Sequence, residues 1–556
     1  MKNFASFVSV CVLLTGALYS CKSKTSKPET AMEVEAKTEI TTLPPVNPYL
    51  ATGNYVVPHF NPAQTNTFIP AVKKDNYQVY SGILQEVIPS MLPNMTFNAK
   101  DEKYCWIPGA NEVFYVAISD GHFLPMARLA LSTRDNEEKQ EMALKTYAGK
   151  NYTTGDSLKM AVKTLLGNLA DEPLPSNRLS LVDKDNTLFT IYNGNLLALS
   201  LLDQTNPAKG IEIAKQLKLT ELIDKTDRPI GLQMLFDGNL LLNSQKGSFC
   251  VISRDSLKLK NHLQIVPLQH FFGSPAIDDK NGIYALSDSL MIKLVWNGTN
   301  LSLNESDGAW NYAIKYDRDS LLLAKGGGEL ASPVLMGFGD DPDKLVVISD
   351  GAKRANLLAF WRDAIPSDSA SNKKERLAGK ITVNCGNYSG NDSSFLQSYH
   401  SLTVCGYGAF FANTINGYAT PRTCTDFALL GSIIPCPKGI ERFEWDYKND
   451  RWLSIWSEPE VRTAGIQPAI SFDSKLVLVN SFDSDNAVVG WQIQGFDWTN
   501  GNLVNQIIFS SNTQYGNGMN GFFQFMKDGD LIFNSIGGTY RIAFGDDRGV
   551  NKAPRL

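Results

Sequence analysis

The chain has 556 residues and a formal net charge of −5. A general nucleic-acid-binding surface is basic, so this charge excludes that class of partner. The 43 Gly, 20 Tyr, 28 Phe and 9 Trp, set against only five His, favour strands and turns over helices.

Residues 1–20 predict a signal peptide. Lys2 supplies positive charge, and residues 4–18 are mainly apolar but too few to cross a bilayer, which takes about 20 residues. The tetrad at 18–21 resembles the lipobox of bacterial lipoproteins, although Tyr19 departs from its commonest form. The resemblance implies that a lipid such as palmitate is attached to Cys21. The alternative is an ordinary cleaved signal followed by an unmodified cysteine.

Residues 21–48 predict a flexible tether. They contain almost no aromatic or branched apolar residue before Ile40, so they cannot bury enough surface to fold. Lys22, rather than Asp, follows the cysteine. In the lipoproteins that the tetrad resembles, this favours the outer membrane. We therefore expect a lipid-anchored protein of the bacterial cell envelope, held at the outer membrane through Cys21.

Residues 49–548 contain an internal repeat of short apolar strands separated by turns of Asp, Asn and Gly. Clear copies begin at Gly273, Ala331 and Gln467. Looser copies begin near Leu179, Gly231, Ser401, Phe522 and Tyr104. One such unit is a small antiparallel sheet that cannot bury both faces alone, so neighbouring units must stack around an axis. The sequence therefore predicts an all-β fold, a single seven- or eight-bladed β-propeller, followed by a tail at 549–556.

The repeat resembles the quinoprotein (PQQ-type) propeller superfamily. The resemblance rests on the Ser-Pro-Ala-Ile-Asp-Asp run at 274–279, the Asp-Trp-Thr-Asn-Gly turn at 497–501 and the stretch 57–66, which is similar to the lead-in before the first blade. It implies the fold only. The enzymes of that superfamily carry adjacent paired cysteines and a calcium-binding Glu/Asn/Asp set, which we do not find here, so PQQ is not an expected cofactor.

A helical insertion is predicted over about 135–171. An earlier helix covers 137–147, and a later one begins behind Thr154 or Asp156. The later helix carries one apolar face, made of Leu158, Ala161, Val162, Leu165 and Leu169. The insertion either covers the axial channel or decorates the outside of the propeller.

Six cysteines follow the anchor, at 105, 250, 385, 405, 424 and 436. In an oxidising compartment, one to three disulfides are expected, with pairing inside the group 385–436. A free buried thiol is the alternative for Cys250.

Propellers place ligand sites on the loops that lead into the innermost strand of each blade. In this register the candidates are Arg178, Arg228, His270, Glu329, His400, Gln467 and Asn520. The imidazoles and the carboxylate, His270, His400 and Glu329, are the predicted catalytic residues. The others, Arg178, Arg228, Gln467 and Asn520, are the predicted substrate-binding residues, with guanidinium groups suited to an anion. The plain alternative is that loop ends are polar in any fold.

Two further clusters each have two interpretations. Asp340, Asp341 and Asp343 are candidate calcium ligands, because that ion prefers hard oxygen, or they form an ordinary tight turn. The three tryptophans of residues 443–456 form either a sugar-stacking platform or wedges between blades.

Two functions remain open on the sequence alone. The first is an envelope lipoprotein whose propeller binds a partner protein or a glycan. The second is an enzyme, an oxidoreductase, lyase or hydrolase, that acts on a small anionic or carbohydrate-like substrate at the channel mouth. A propeller fold hosts both classes, so the choice depends on the site.

The lipid anchor gives a direct prediction. Cys21→Ser removes the atom that carries the lipid, so we expect the variant protein to leave the membrane fraction and appear soluble outside the inner membrane. Fractionation of cells expressing either form measures this. Continued membrane attachment of the serine variant would contradict the anchor.

Overall fold

The fold was analysed in a computed structural model, which describes residues 42–552 apart from gaps at 80–84, 89–96, 99–102, 120–121, 133–146, 148–153, 172–178, 268, 315–331, 368–374, 387–394, 416–422, 432, 484–489, 510–513, 519–520, 536–537 and 545–550. Three short strands precede the repeats: β1 (Thr67–Phe68), β2 (Asn76–Val79) and β3 (Gln85–Ile88). The strands that follow form eight sheets, which we number as blades in chain order.

Blades 1 to 4 each run outward from a first, innermost strand. Blade 1 contains β4 (Phe97–Asn98), β5 (Tyr104–Pro108), β6 (Glu112–Ser119) and β7 (His122–Ala130). Blade 2 contains β8 (Ser180–Val182), β9 (Leu188–Tyr192), β10 (Asn195–Leu201) and β11 (Ile211–Lys218). Blade 3 contains β12 (Pro229–Met234), β13 (Leu240–Ser244), β14 (Ser248–Ile252) and β15 (Leu259–Gln264). Blade 4 contains β16 (Phe271–Ile277), β17 (Gly282–Ser287), β18 (Leu290–Trp296), β19 (Leu301–Ser302) and β20 (Trp310–Ala313).

Blades 5 to 8 repeat the same antiparallel plan. Blade 5 contains β21 (Val334–Met336), β22 (Leu345–Ser349), β23 (Asn356–Trp361) and β24 (Leu377–Thr382). Blade 6 contains β25 (Thr403–Cys405), β26 (Gly408–Ala412), β27 (Lys438–Asp446) and β28 (Arg451–Arg462). Blade 7 contains β29 (Ala469–Ser471), β30 (Leu476–Asp483), β31 (Gly490–Asp497) and β32 (Leu503–Phe509). Blade 8 contains β33 (Gln524–Phe525), β34 (Leu531–Ser535) and β35 (Gly538–Ile542), and β36 (Asn551–Lys552) follows.

The ring closes through strands from the start of the chain. β3 pairs with β35 and so supplies the outer strand of blade 8. On blade 7, β1 pairs in parallel with the innermost strand and β2 in parallel with the outermost, and β36 adds to β2. First strands of successive blades contact one another from blade 1 to blade 7, and β3 of blade 8 contacts β7 of blade 1. The predicted all-β propeller is confirmed, and it has eight blades. We call its two ends the amino face and the carboxyl face, after the ends of the inner strands that point there.

An axial segment, residues 55–68, runs through the middle of the ring and is buried except at Asn61. Its carbonyl oxygens accept hydrogen bonds from inner strands of five blades: Val182 N to Val56 O at 2.9 Å, Ile277 N to Pro62 O at 2.8 Å, Leu335 N to Ala63 O at 3.0 Å, Val404 N to Thr65 O at 2.9 Å and Ile470 N to Asn66 O at 3.0 Å. Inner strands have one edge without a neighbouring strand, and buried N–H groups on such an edge need acceptors. The axial segment supplies them and fills the axis.

The path of this segment needs left-handed backbone at four residues that are not glycine: His59, Phe60, Gln64 and Asn66. Two of them support each other, because His59 Nδ1 and Asn66 Oδ1 lie 2.8 Å apart and Asn66 Nδ2 donates to Leu402 O at 3.0 Å. Asn tolerates this conformation better than most residues. The stretch 57–66, which resembles a quinoprotein lead-in, is thus the centre of the ring.

Residues 42–48, predicted as the end of the tether, lie against the carboxyl face. Thr42 Oγ1 donates to Asp341 Oδ1 at 2.8 Å, and Asn47 Nδ2 donates to Met234 O at 2.8 Å. The hydrogen bonds and the burial of Asn47 hold this stretch on blades 3 and 5.

Part of the predicted helical insertion is present. Helix α1 (Gly155–Leu166) begins after Thr154, whose side chain accepts from Ser157 N at 3.3 Å, and buries Leu158, Val162 and Leu165. It packs with α2 (Cys424–Leu429) near Tyr399, which comes just before blade 6, so this helical pair covers part of the amino face. The earlier predicted helix falls outside the described residues except for Tyr147. In the part of the chain that the structure describes, 3-10 turns lie at Gly167–Asp171, Pro207–Lys209, Leu219–Glu221, Glu305–Asp307 and Gln514–Gly516. Within the described ranges, no helix is both long and apolar enough to cross a membrane.

Tryptophans fill the gaps between blades 5, 6 and 7. Trp445 donates its indole N–H to Asp343 of blade 5 at 2.7 Å and packs on Gly379, where a Cβ would lie 2.6 Å from the ring. Trp456 donates to Trp498 O of blade 7 at 2.9 Å. The wedge interpretation is confirmed, because Trp445, Trp452 and Trp456 are all buried.

The predicted disulfides are absent. All six cysteines after Cys21 are described, all are buried, and no disulfide joins any two of them: Cys105, Cys250, Cys385, Cys405, Cys424 and Cys436. The four that were expected to pair belong to four separate apolar clusters, which keeps their sulfur atoms apart. Burial raises the pKa of the Cys250 and Cys436 thiols to about 12, so they remain protonated at neutral pH.

The axial segment predicts a stability effect at Tyr55. The hydroxyl of Tyr55 accepts from Phe525 N at 2.6 Å and donates to Phe525 O at 3.0 Å. Tyr55→Phe leaves both buried backbone groups without their partner, so we expect the free energy of unfolding to fall by about 1–3 kcal/mol. Urea denaturation measures it. Tyr49→Phe is the matched control, because its ring keeps the contact with Lys184; equal losses in the two variants would contradict the prediction.

Candidate functional site

The structure describes four of the seven residues predicted at the amino face: Arg228, His270, His400 and Gln467. Arg178, Glu329 and Asn520 lie outside the described residues, as does Cys21. Each of the four described residues stands just before an inner strand, as the repeat register predicts. They form two groups, one at blades 3 and 4 and one at blades 6 and 7.

Arg228 and His270 meet through Gln245, a residue that the sequence reasoning missed. With its amide oxygen turned toward them, Gln245 accepts from Arg228 Nη2 at 2.9 Å, Arg228 Nε at 3.2 Å and His270 Nε2 at 3.2 Å. Gln245 belongs to the turn between the second and third strands of blade 3. That turn returns to the amino face, so the repeat register contains the signal that could have found it.

The electrostatics of this group keep the imidazole neutral. Burial lowers the pKa of His270; Asp288 opposes that effect and Arg228 adds to it. A neutral ring that donates from Nε2 to Gln245 leaves Nδ1 as an acceptor. Arg228, Gln245 and His270 are all half-buried, so they remain within reach of a ligand from solvent. The group can bind an anion or a polar group that has an N–H or O–H to donate.

His400 and Gln467 join blades 6 and 7. Gln467 Oε1 accepts from Ser401 N at 3.1 Å, and its Nε2 donates to Ser401 O at 3.0 Å. His400 is only 2% exposed; its ring lies tilted against the Tyr399 ring, with 4.4 Å between the ring centres, and its Nε2 lies 3.4 Å from Ala464 O. His400 therefore matches His270 in repeat position but not in access to solvent.

The two groups do not converge on one site. In ring order, blade 5 separates them on one side, and blades 8, 1 and 2 on the other. The axis between them is filled by the axial segment toward the carboxyl face. Of the two, only the group at blades 3 and 4 presents a histidine and an arginine together at the surface. The catalytic and substrate-binding roles of these residues stay predictions.

Two of the carboxylates at 340–343 accept hydrogen bonds from their own turn or from neighbouring segments. Asp341 accepts from Phe338 N at 2.8 Å and from Thr42, and Asp343 accepts from the Trp445 indole. Asp340 is exposed. Across the part of the chain that the structure describes, no three His, Cys, Asp or Glu side chains are grouped to hold a metal ion. Calcium binding here stays a prediction.

Comparison with known proteins gives few relatives in sequence. No family model matches the chain. It is 27% identical over 290 residues to an uncharacterized protein from Archaeoglobus fulgidus, a match that covers 50% of this chain and 53% of that protein. The chain thus spans about half the length of the curated relative that it matches.

Among solved structures, the chain is similar to several proteins at low identity. They are BamB from Moraxella catarrhalis (TM-score 0.37, 9% identity, 67% of this chain and 94% of that one), a quinohemoprotein alcohol dehydrogenase from Comamonas testosteroni (0.47, 10%, 89% and 80%) and the Cps50 (Swd1) β-propeller domain from Myceliophteria thermophila (0.35, 10%, 68% and 97%). At TM-scores below 0.5 these likenesses say nothing about function.

Asp343 gives a pH-dependent prediction. Burial raises its pKa to about 6, so the folded chain binds a proton at a higher pH than the unfolded chain does. The contribution of Asp343 to the free energy of unfolding is therefore greatest below the pKa that this carboxyl has in the unfolded chain. That contribution is lost as the pH rises through about 6. In Asp343→Asn, which keeps an acceptor for Trp445, we expect a smaller loss over that window. Urea midpoints between about pH 4 and about pH 7 measure this, with the exposed Asp340→Asn as control. An unchanged slope in Asp343→Asn would contradict the prediction.

Proposed function

We propose that the chain is a lipid-anchored protein of the bacterial cell envelope whose propeller binds a partner protein on its amino face. The observation that carries this proposal is the filled axis. Residues 55–68 bond to the inner strands of blades 2, 4, 5, 6 and 7 through the backbone and to blade 8 through Tyr55. An enzyme that holds its substrate in the axial channel needs this space, whereas a rigid binding module gains order from filling it.

The proposed contact surface is the amino-face patch, which we define as Asp227, Arg228, Gln245, Lys246, His270 and Asp288. These side chains are half-buried and carry both signs of charge. Asp227 fixes the turn that presents them, because its Oδ1 accepts from Lys246 N at 3.0 Å and from Arg228 N at 2.8 Å. A polar surface on ordered turns resembles the rim of a protein interface, where charged groups set specificity.

The position of the earliest described residues supports the choice of face. Thr42 bonds to Asp341, and Pro45 lies beside Phe236 and Phe338, all on the carboxyl face. Residues 42–45 therefore lie on the face opposite the amino-face patch and leave that patch uncovered.

A partner protein is favoured over a glycan by the tryptophans. Sugar binding commonly uses an exposed aromatic ring as a stacking surface. Trp445 is 1% exposed, Trp452 5% and Trp456 9%, so none of the three offers such a ring. The amino-face patch instead offers charged and amide groups.

The second candidate is an enzyme acting on a small anionic or carbohydrate-like substrate. Its support is the half-exposed His270 beside Arg228, a base and a cation that share one partner. It also requires the predicted Glu329, which lies outside the described residues.

Crosslinking in intact cells tests the partner-binding proposal. Arg228→Glu with His270→Ala reverses one charge of the patch and removes one ring, so we expect the yield of a crosslinked partner to fall about tenfold or more. Lys215→Glu is the matched control, because Lys215 lies on the exposed outer strand of blade 2. Urea midpoints confirm that both variants fold.

A full yield of crosslinked partner in the double variant would overturn the choice of face. A crosslinked species that resists protease and disappears after glycosidase treatment would replace the partner protein by a glycan.

A further inference from the structure

A cavity of about 120 Å³ lies on the carboxyl face between blades 3, 4 and 5, away from the amino-face patch. Its lining contains apolar residues, such as Phe236, Ile277 and Phe338, together with charged residues of both signs. The bases are Lys280, Lys344 and Arg362, and the acids are Asp278, Asp279 and Asp363.

Arg362 is a buried cation that forms no ion pair with a carboxylate of the described residues. Its residue is 6% exposed, its Nη2 donates to Gly337 O at 2.7 Å, and its guanidinium lies 5.4 Å from the Phe338 ring centre. Its Nη1 has no hydrogen-bond partner. No carboxylate oxygen of the described residues lies within 4.0 Å of it. Burial of a charge in this state is costly unless something pairs with it.

Among the described residues, the other buried cations each have a carboxylate partner. Arg541 donates from Nε to Asp530 Oδ2 at 2.8 Å, and Lys293 donates from Nζ to Asp363 Oδ1 at 3.1 Å. Arg442 pairs with Glu444. Arg362 differs from these three cations because it has no such ion pair with a described carboxylate, and this difference calls for a physical explanation.

Two of the acids that line the cavity, Asp278 and Asp363, are already engaged. Asp278 accepts from Lys280 N at 2.9 Å and Gly282 N at 2.8 Å with one oxygen, and from Tyr284 Oη at 2.8 Å with the other. Asp363 is held by Lys293. Neither carboxylate lies within ion-pair distance of Arg362, although the charges of Lys293 and Arg362 outweigh the effect of burial and lower the pKa of Asp363.

Lys344 places another positive charge in the lining of the cavity, near Arg362. Its Nζ donates only to carbonyl oxygens, Gly339 O at 2.6 Å and Asp341 O at 2.9 Å. Burial lowers its pKa; nearby acids, Asp341 first, oppose that effect, and the charge of Arg362 adds to it. An anion placed between Arg362 and Lys344 would relieve the repulsion of the two cations.

We propose that this cavity binds a small carboxylate, held by Arg362 and Lys344, with its short apolar body against Phe236 and Phe338. A guanidinium fork matches the planar carboxylate group. The surrounding Asp278, Asp279 and Asp363 disfavour a doubly charged phosphate. The carboxylate comes either from a free short-chain acid or from the C-terminal residue of another protein.

Isothermal titration calorimetry on the full chain in detergent tests the proposal, with butyrate as the probe. Butyrate should bind the unchanged protein, and its affinity should fall about tenfold or more in Arg362→Gln and in Lys344→Gln, since a lost charged hydrogen bond is worth about 1.5–3 kcal/mol. Lys344 is half-exposed, so its variant keeps the test valid if Arg362→Gln fails to fold. Lys215→Gln, on the outer strand of blade 2, should bind butyrate unchanged.

Three results would overturn the carboxylate site: no butyrate binding by the unchanged protein, equal affinity in Lys344→Gln, or equal binding of butyramide or inorganic phosphate. A further probe separates the two sources. Acetyl-glycyl-valine with a free carboxylate binds more tightly than butyrate if the ligand is a protein C-terminus, and more weakly if it is a free acid. Either order supports the carboxylate site itself.

Discussion

The inner edge of every blade presents backbone N–H groups that need acceptors, and the rest of the structure depends on how they are satisfied. Residues 55–68 meet this demand for five blades with their own carbonyl oxygens. Because buried N–H groups are costly to leave unpaired, the same contacts hold the blades in one ring and fill its centre. Strand β3 then completes blade 8, so the start of the chain both fills the axis and closes the circle.

Because residues 55–68 fill the axis, the accessible polar groups lie away from the centre of the ring. The polar groups that remain accessible lie at blade junctions: Arg228 and His270 around Gln245 on the amino face, and Arg362 with Lys344 on the carboxyl face. The two sites differ in kind. The first is satisfied internally and half-exposed, which suits a surface that meets a partner, whereas the second contains a buried charge that forms no ion pair with a described carboxylate, which suits a pocket for an anion.

Much of this architecture could be predicted from the repeat. The predicted starts near Leu179, Gly231 and Ser401 fall within two residues of inner strands that begin at Ser180, Pro229 and Thr403. The copy predicted near Tyr104 begins at the second strand of blade 1 and not at its inner strand. The inner strand has only two residues, Phe97–Asn98, which are too few to show an alternation of apolar residues. The prediction of disulfides was also wrong. The spacing of cysteines along the chain does not indicate which apolar cluster will enclose each of them.

The sequence by itself determined the class of fold and the polar character of the amino-face turns, because these follow from local alternation of apolar residues and from turn chemistry. Only the tertiary structure decided that residues 55–68 fill the axis, that Gln245 joins Arg228 to His270, and that Arg362 forms no ion pair with a described carboxylate. Each of these depends on how separate segments pack against one another. Residues 55–68, for example, bond to strands as far along the chain as Ile470, and these partners meet only when the blades close into a ring.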